Sequence, residues 1–329
     1  MGLGRAIEQL KEKHVLVTGG AGFIGSNLVE FLLKNGVRVS VLDNLSTGKR
    51  SNLNEFNGHS GFNFIEGDIT DFNTCLNALN GVDVVSHQAA LGSVPRSIEF
   101  PHNTHSVNAT GFLNMLHAAK EKGVNRFVYA SSSSVYGNSQ QSPKRIGEEG
   151  DLLSPYAVTK QLNEEYAKVY ARLHGMQTIG LRYFNVFGPK QDPNGVYAAA
   201  IPKFMDKMIK GEQLTINGDG EQTRDFTYVQ NAVNANVLAL GATDDRAFGK
   251  AFNVACGHFL SLNGVISAIK ENLQSIGKYN EHTTIVHGPD RPGDVRDSLA
   301  DITDTIAILK YEDTILFAQG MKELCEWTK

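Results

Sequence analysis

Short runs of β-branched and aliphatic residues alternate with stretches of helical periodicity through the first half of the chain. The runs predict strands over residues 14–18, 37–42, 62–66, 82–87, 126–131 and 178–182. The 3.6-residue periodicity predicts helices over 24–35, 72–79, 103–122 and 155–174. Such alternation demands right-handed βαβ crossovers and a parallel sheet with helices on both faces, a doubly wound α/β fold. After Phe187 the alternation breaks. Gly188-Pro189 and Asp192-Pro193-Asn194-Gly195 are turn signals, followed by a helix near 201–210, a short strand over 214–216 and the turn Asn217-Gly218-Asp219-Gly220. One more sheet strand is expected at 252–255, with helical segments after Ser261. Residues 1–187 thus read as one lobe, completed by sheet strands from about 225–260, and 188–329 as a smaller mixed α/β substrate-binding lobe.

Composition changes this picture little. A chain of 329 residues accommodates one large domain or two closely packed lobes. Hydrophobic content of 41% and charged content of 20% are ordinary for a globular protein. A formal charge of −4 argues against a surface that wraps nucleic acid, while leaving room for local basic pockets that take a small phosphate. Cys75, Cys256 and Cys325 are odd in number, far apart and in no CxxC pair, the pattern of reduced, mostly buried thiols in a reducing compartment. No apolar run approaches the ~20 residues of a membrane span. Residues 1–13 read as an amphipathic lead-in helix without the apolar core of a signal peptide, so a cytoplasmic protein is expected.

Gly19-Gly20-Ala21-Gly22-Phe23-Ile24-Gly25 follows the first strand directly and opens the first helix. Gly19 permits the tight turn, Gly22 lets backbone approach a pyrophosphate, and Gly25 lets helix and strand pack closely. The helix N-terminal amides then face the phosphates. Asp43 ends the second strand, where a carboxylate accepts hydrogen bonds from an adenosine ribose and repels a 2′-phosphate. That favours NAD over NADP, although Lys49 and Arg50 lie close enough in sequence to weaken the argument. Asp68 is placed either to touch the adenine edge or to cap the next helix.

Tyr156 and Lys160 stand four residues apart, on one face of a helix that Ser154 and Pro155 open as N-cap and first residue. A phenol with an ordinary pKa of about 10 is a poor base at neutral pH. An adjacent ammonium and a nicotinamide's positive charge both favour phenolate, and about 4 kcal/mol of differential stabilisation brings the pKa near 7. Ser131-Ser132-Ser133-Ser134 follows the strand over 126–131, at the carboxyl edge of the sheet. Hydroxyls there can bridge a substrate oxygen to the phenolate.

Taken together, several features of the chain resemble the extended short-chain dehydrogenase/reductase superfamily. They are the glycine turn, Asp43, His87-Gln88-Ala89-Ala90, the serine run before Val135-Tyr136-Gly137, Tyr156 with Lys160, and Arg182-Tyr183-Phe184-Asn185. The similarity extends over nearly the whole chain. It is strongest to bacterial UDP-N-acetylglucosamine 4-epimerases, through Ala90-Leu91-Gly92-Ser93-Val94-Pro95-Arg96-Ser97, residues 194–203 and 217–226, and Gly293-Asp294-Val295-Arg296.

The resemblance implies a Rossmann lobe binding NAD, and reversible C4 epimerisation of a UDP-sugar through a 4-keto intermediate and transient NADH. It implies that Tyr156 takes the proton from the sugar O4, that Lys160 holds the nicotinamide ribose, and that Ser132, with Ser133, contacts O4. To the cofactor contacts already named it adds Phe23, Ile24, Asn44, Gly48 and Ile69, then Gln88, Ala89, Ala90, Tyr183 and Val186. Asn185 would bind the substrate phosphate or sugar, and Thr215 and Asn217 would flank the uracil. Arg224 and Arg291 would neutralise the diphosphate; each also reads as a surface salt-bridge partner. Gly92, Ser93, Arg96 and Ala199 complete the substrate set, with Ser298. In epimerases restricted to glucose and galactose the position matching Ser298 is a bulky tyrosine, so a serine implies room for an acetamido group. Ser298 reads alternatively as the cap of a helix-like segment beginning near Asp297. The superfamily's dimeric four-helix bundle, built from the helices over 103–122 and 156–174, implies a homodimer.

Other signals count for less. His102 and His105 lack a third ligand in a recognisable spacing, and Asp297, Asp301 and Asp304 lack the turn glycine of a calcium loop, so no metal is expected. Competing activities are a UDP-glucose or UDP-uronate 4-epimerase, a nucleotide-sugar dehydratase or decarboxylase, and a non-enzymatic NAD-binding protein. A dehydratase commonly carries an Asp-Glu pair after the active-site serine or threonine, where this chain has Ser133 and Ser134.

Overall fold

Seven parallel strands make the central sheet: β1 (His14–Thr18), β2 (Arg38–Asp43), β3 (Phe62–Glu66), β4 (Val84–His87), β5 (Arg126–Ser132), β6 (Gln177–Tyr183) and β7 (Lys250–Val254). Their order is β7-β6-β5-β4-β1-β2-β3. The computed structural model describes residues 2–194, 199–289 and 296–328. β1 carries Val15, Leu16 and Val17, all fully buried, because a strand covered on both faces must be apolar throughout. The strand order reverses between β1 and β4, and a crevice opens at such a switch point beyond the carboxyl ends.

Helices cover the two faces with separate cores. On one face Leu3–Lys11, Phe23–Lys34 and Val229–Leu240 pack Ala6, Leu28, Leu32 and Val233 against Val15, Val17 and Val39. On the other, Phe72–Ala78, Phe112–Glu121 and Pro155–His174 pack Cys75, Phe112, Met115 and Ala167 against Leu16, Val85 and Phe127. A third core lies in the smaller lobe, among the helices Ala200–Lys210, Leu262–Ser275 and Phe317–Trp327. Among the described residues no helix is long and apolar enough to cross a membrane.

The structure departs from expectation at three places. The helix over 103–122 is not regular: Pro101–His105 and Phe112–Glu121 flank a π-helical turn, Ser106–Gly111. There Asn108 turns inward to accept from Leu91 N and donate to Leu91 O, and Gly111 packs flat on Ile69. The helix Val229–Leu240 has no amphipathic signal, since every residue except Gln230 and Asn234 is buried. Finally, Asp297–Ser298 is a short strand paired with Thr223–Asp225, so Ser298 caps no helix.

Candidate active site

β1 ends in a turn that tolerates little besides glycine. Gly19 has φ +66°, and a Cβ there would lie 2.6 Å from the Ala89 backbone nitrogen. Gly22 is the N-cap of helix Phe23–Lys34 and brings no capping side chain, which leaves the first amides of the helix directed at a ligand. A groove of about 650 Å³ runs from this turn along the carboxyl edge of the sheet. Phe23, Ile24 and Gly25 line it beside Gly19 and Gly22, as do Asp43, Asn44, Gly48, Asp68 and Ile69. Further along it are Gln88, Ala89, Ala90, Gly92 and Arg96, then Tyr156, Lys160 and Tyr183. Val186 is not in this groove; it lines the second cavity, and Ser93, Ser132, Ser133 and Ser298 line neither.

One end of the groove is acidic. Asp43 accepts from the Ala21 and Leu45 amides at 2.9 and 2.8 Å, which aligns its carboxylate. Asp68 accepts from Thr70 and from Asn44 Nδ2, contacts that hold its carboxyl below the usual range against the effect of burial. It does not cap the next helix: Asp71 does, accepting from Asn73 N and Thr74 N. The two cations that weakened the case for NAD each have a partner within the protein. Lys49 pairs with Asp192 at 2.8 Å, and the Arg50 guanidinium lies 3.9 Å from the Phe64 ring centroid. An uncapped helix start, a glycine turn and a carboxylate at the end of β2 together fit a dinucleotide without a 2′-phosphate.

Ser154 opens the helix Pro155–His174, its hydroxyl accepting from Ala157 N at 3.2 Å. Tyr156 and Lys160 therefore fall in the first turns, facing the end of β5. Burial pushes the Tyr156 phenol up, and the neighbouring Ser132 hydroxyl opposes that rise. Lys160 donates to Ala130 O at 2.8 Å, and its Nζ lies 5.8 Å from the Tyr156 ring centroid. Burial pulls its ammonium down to about 8. Ser133 begins a 3₁₀ turn, Ser133–Tyr136, and the Ser132 hydroxyl accepts from Ser134 N. His87, next to this group, is fully buried and pulled down to about 3, so it is a neutral packing residue bonded to Thr18 Oγ1.

A second cavity of about 600 Å³ lies in the smaller lobe. Asn185, Ala199, Thr215, Asn217 and Arg224 line it. Ala199 and Gln191 line both cavities, which therefore adjoin. Asn185 adopts φ +34° and donates to Asp225 O at 3.0 Å. Arg224 donates to Thr223 O and Arg296 O, and Ser298 sits opposite it in the strand pair. Ser93 caps the helix Val94–Glu99 by accepting from Arg96 N. Arg291 lies outside the described residues, as do residues 195–198 and Gly293-Asp294-Val295 of the quoted motifs. Sequence reasoning missed Gln191, since the Gly188-Pro189 turn before it carried the only local signal.

This geometry has counterparts. The chain is 35% identical over 316 residues to UDP-glucose 4-epimerase of Mycolicibacterium smegmatis, covering 95% of this chain and 98% of the relative. It is similar in structure to UDP-N-acetylglucosamine 4-epimerase from Methanobrevibacter ruminantium, solved with UDP-N-acetylmuramic acid: TM-score 0.88, 36% identity, 96% and 98% of the two chains. The UDP-glucose 4-epimerase of Thermus thermophilus, solved with NAD, gives a TM-score of 0.83 at 34% identity over 95% and 98% of the two chains. Residues 15–255, with the glycine turn, the serine run and the Tyr156/Lys160 pair among them, match the NAD dependent epimerase/dehydratase family, and the chain belongs to that family.

Proposed function

We propose that the protein interconverts C4 epimers of a UDP-sugar, with UDP-N-acetylglucosamine and UDP-N-acetylgalactosamine as its preferred pair. The observation that carries this reading is the adjacency of the two cavities. Tyr156 and Lys160 line the dinucleotide groove, with Ser132 at the adjoining end of β5, and the groove shares Gln191 and Ala199 with a second cavity large enough for a nucleotide.

NAD held in this groove would supply a reversible hydride acceptor for the sugar carbon. Tyr156 takes the O4 proton as general base and gives it back. Ser132, with Ser133, contacts O4 and orients it toward the phenol. Lys160 holds the nicotinamide ribose, and its charge lowers the cost of a phenolate beside it. Thr215 and Asn217 hold the uracil, Arg224 and Arg291 the diphosphate, and Asn185 the phosphate or sugar. Room at the sugar favours an acetamido group: a Cβ at Gly92 would meet no atom within 4 Å, and Ala199 and Ser298 are small. The neighbour solved with UDP-N-acetylmuramic acid supports an acetylated sugar. Ser133 and Ser134, where a dehydratase commonly carries carboxylates, favour epimerisation.

Incubation of purified protein with a panel of UDP-sugars, without added NAD, tests the reading. Interconversion of the acetylated pair with bound NAD conserved is the expected result, because hydride leaves and returns to one carbon. Stoichiometric release of NADH would instead identify a net dehydrogenase.

A second copy of the chain is the proposed partner. Val158 and Leu173 on the helix Pro155–His174, with Ile98 and Phe100 beside it, are 50, 66, 63 and 50% exposed. Exposed apolar side chains near both ends of that helix suit a self-complementary face. Sedimentation at micromolar concentration should give twice the monomer mass, and Val158→Glu with Leu173→Glu should give the monomer.

A further inference from the structure

Behind the reacting groups lies a buried ionic cluster that the proposed chemistry does not use. Glu164 sits one helical turn beyond Lys160, on the helix Pro155–His174. Its Oε1 accepts from Ser131 Oγ at 2.5 Å and from Arg182 Nε at 2.9 Å, and its Oε2 accepts from Arg182 Nη2 at 2.7 Å. Arg182 is 5% exposed, donates from Nη1 to Glu149, and lies 4.9 Å from the Tyr136 ring centroid. Thus one carboxylate ties the helix bearing Tyr156 and Lys160 to β5, through the residue before Ser132, and to β6.

We propose that Glu164 is a positioning residue, fixing the Ser132 end of β5 against Tyr156 and setting the charge of Lys160. Resting as it does on the reaction proposed above, the role follows from two short links. Lys160 is fastened to Ala130 O and Glu164 to Ser131 Oγ, so consecutive residues of β5 are held by residues one turn apart on the helix. A shift of Glu164 moves Ser132 relative to the phenol, and placement errors near 1 Å carry large rate losses. The charged and titratable groups around Lys160 are Glu164 and Tyr156 on its own helix and His87 on β4. His87 is neutral. Glu164 itself faces Arg182 on β6 and the buried Tyr129 phenol on β5, with Glu149 across the guanidinium. The Glu164 carboxylate is thus the negative charge that opposes the loss of the Lys160 proton in a buried site.

The test uses the protein with its bound NAD. Glu164→Gln keeps the shape and removes the charge. It should lower kcat about tenfold with KM within about twofold. The pH above which NAD is lost on dialysis should fall by about one unit, because a neutral Lys160 no longer binds the ribose with full strength. Glu164→Asp should restore that pH limit while kcat stays low, since the shorter side chain keeps the charge and gives up Ser131. Ser131→Ala, a smaller perturbation should Glu164→Gln fail to fold, should lower kcat several-fold and leave the NAD limit unmoved. An unshifted NAD limit in Glu164→Gln, or full kcat in Ser131→Ala, overturns the proposal. Failure of the wild-type protein to turn over any UDP-sugar would overturn the epimerase reading, and the NAD-retention comparison would still decide whether Glu164 sets the charge of Lys160.

Discussion

At the scale of single residues, the decisive fact is that Tyr156 starts from an unfavourable position as a base. Burial raises its phenol, and the Ser132 hydroxyl opposes this. Tyr156→Phe removes the proton acceptor and leaves the ring to pack, so turnover should fall about 10²–10⁴-fold. NAD content, read from the absorbance of released nucleotide, should be unchanged; near-normal turnover would remove Tyr156 from the mechanism. Ser298 tests the sugar pocket in the same way. It is half-buried in the strand beside Arg224, and a tyrosine there would fill space next to the second cavity. Ser298→Tyr should abolish activity on the acetylated sugars and spare UDP-glucose and UDP-galactose, as chromatography of the products would reveal. One added contact discriminates by about 1–3 kcal/mol, so full activity on UDP-N-acetylglucosamine would exclude the assignment.

Elements carry their information unevenly. β1 and its glycine turn were legible because a strand buried on both faces and a φ above zero each restrict residue type. The helix Pro155–His174 was legible from Ser154, Pro155 and its period. The helix Val229–Leu240 was not, and the reason is its setting: buried almost all round, it hides polar residues where periodicity expects apolar ones. Asn236 is the clearest case. Its Oδ1 accepts from Ser86 Oγ and Gln88 Nε2, while its Nδ2 donates to Tyr183 OH and Ala232 O. That network locks the helix to β4 and β6 beneath the groove and occupies the Gln88 side chain, which the sequence offered to the cofactor. Likewise Asp68 and Asp71 cannot be told apart as caps until the chain path is known. Asn236→Ala leaves Ser86, Gln88 and Tyr183 short of partners in a buried site, which should cost about 1–3 kcal/mol. Urea unfolding measures this directly, and a loss under 0.5 kcal/mol, roughly the ordinary surface value, would deny the network its structural role.

For the molecule as a whole, Asp225 joins segments that the sequence keeps far apart. It ends the strand Thr223–Asp225 in the smaller lobe and is fully buried. Its carboxylate accepts from Cys256 N and Gly257 N, just beyond β7, and from Ala300 N, just beyond the strand Asp297–Ser298. Its backbone oxygen accepts from Asn185, at the end of β6. Burial lifts this carboxyl from 3.8 to about 6, and the three amide donors only partly oppose the rise. A folded-state pKa above the unfolded one means that the fold favours the protonated acid. The contribution is complete below pH 3.8 and is lost as pH rises through about 6. Carboxyls such as Asp68, Glu149 and Asp192 are held below their ordinary values and act oppositely, their stabilisation vanishing only on acidification below about pH 4. Among these carboxyls the interval from about pH 4 to 7 isolates Asp225, while His14 and His87, both held below 6.5, titrate alike in wild type and variant and cancel in their difference. Asp225→Asn keeps the shape, cannot titrate, and turns one amide group toward a backbone N–H, so it should be less stable than wild type at pH 4. As pH rises to 7 the wild-type advantage should shrink by on the order of 3 kcal/mol, the linkage value of the shift. Urea unfolding of both proteins at matched pH values gives the difference, and an advantage that stays constant across this interval would show that Asp225 is already ionised in the folded protein at pH 4.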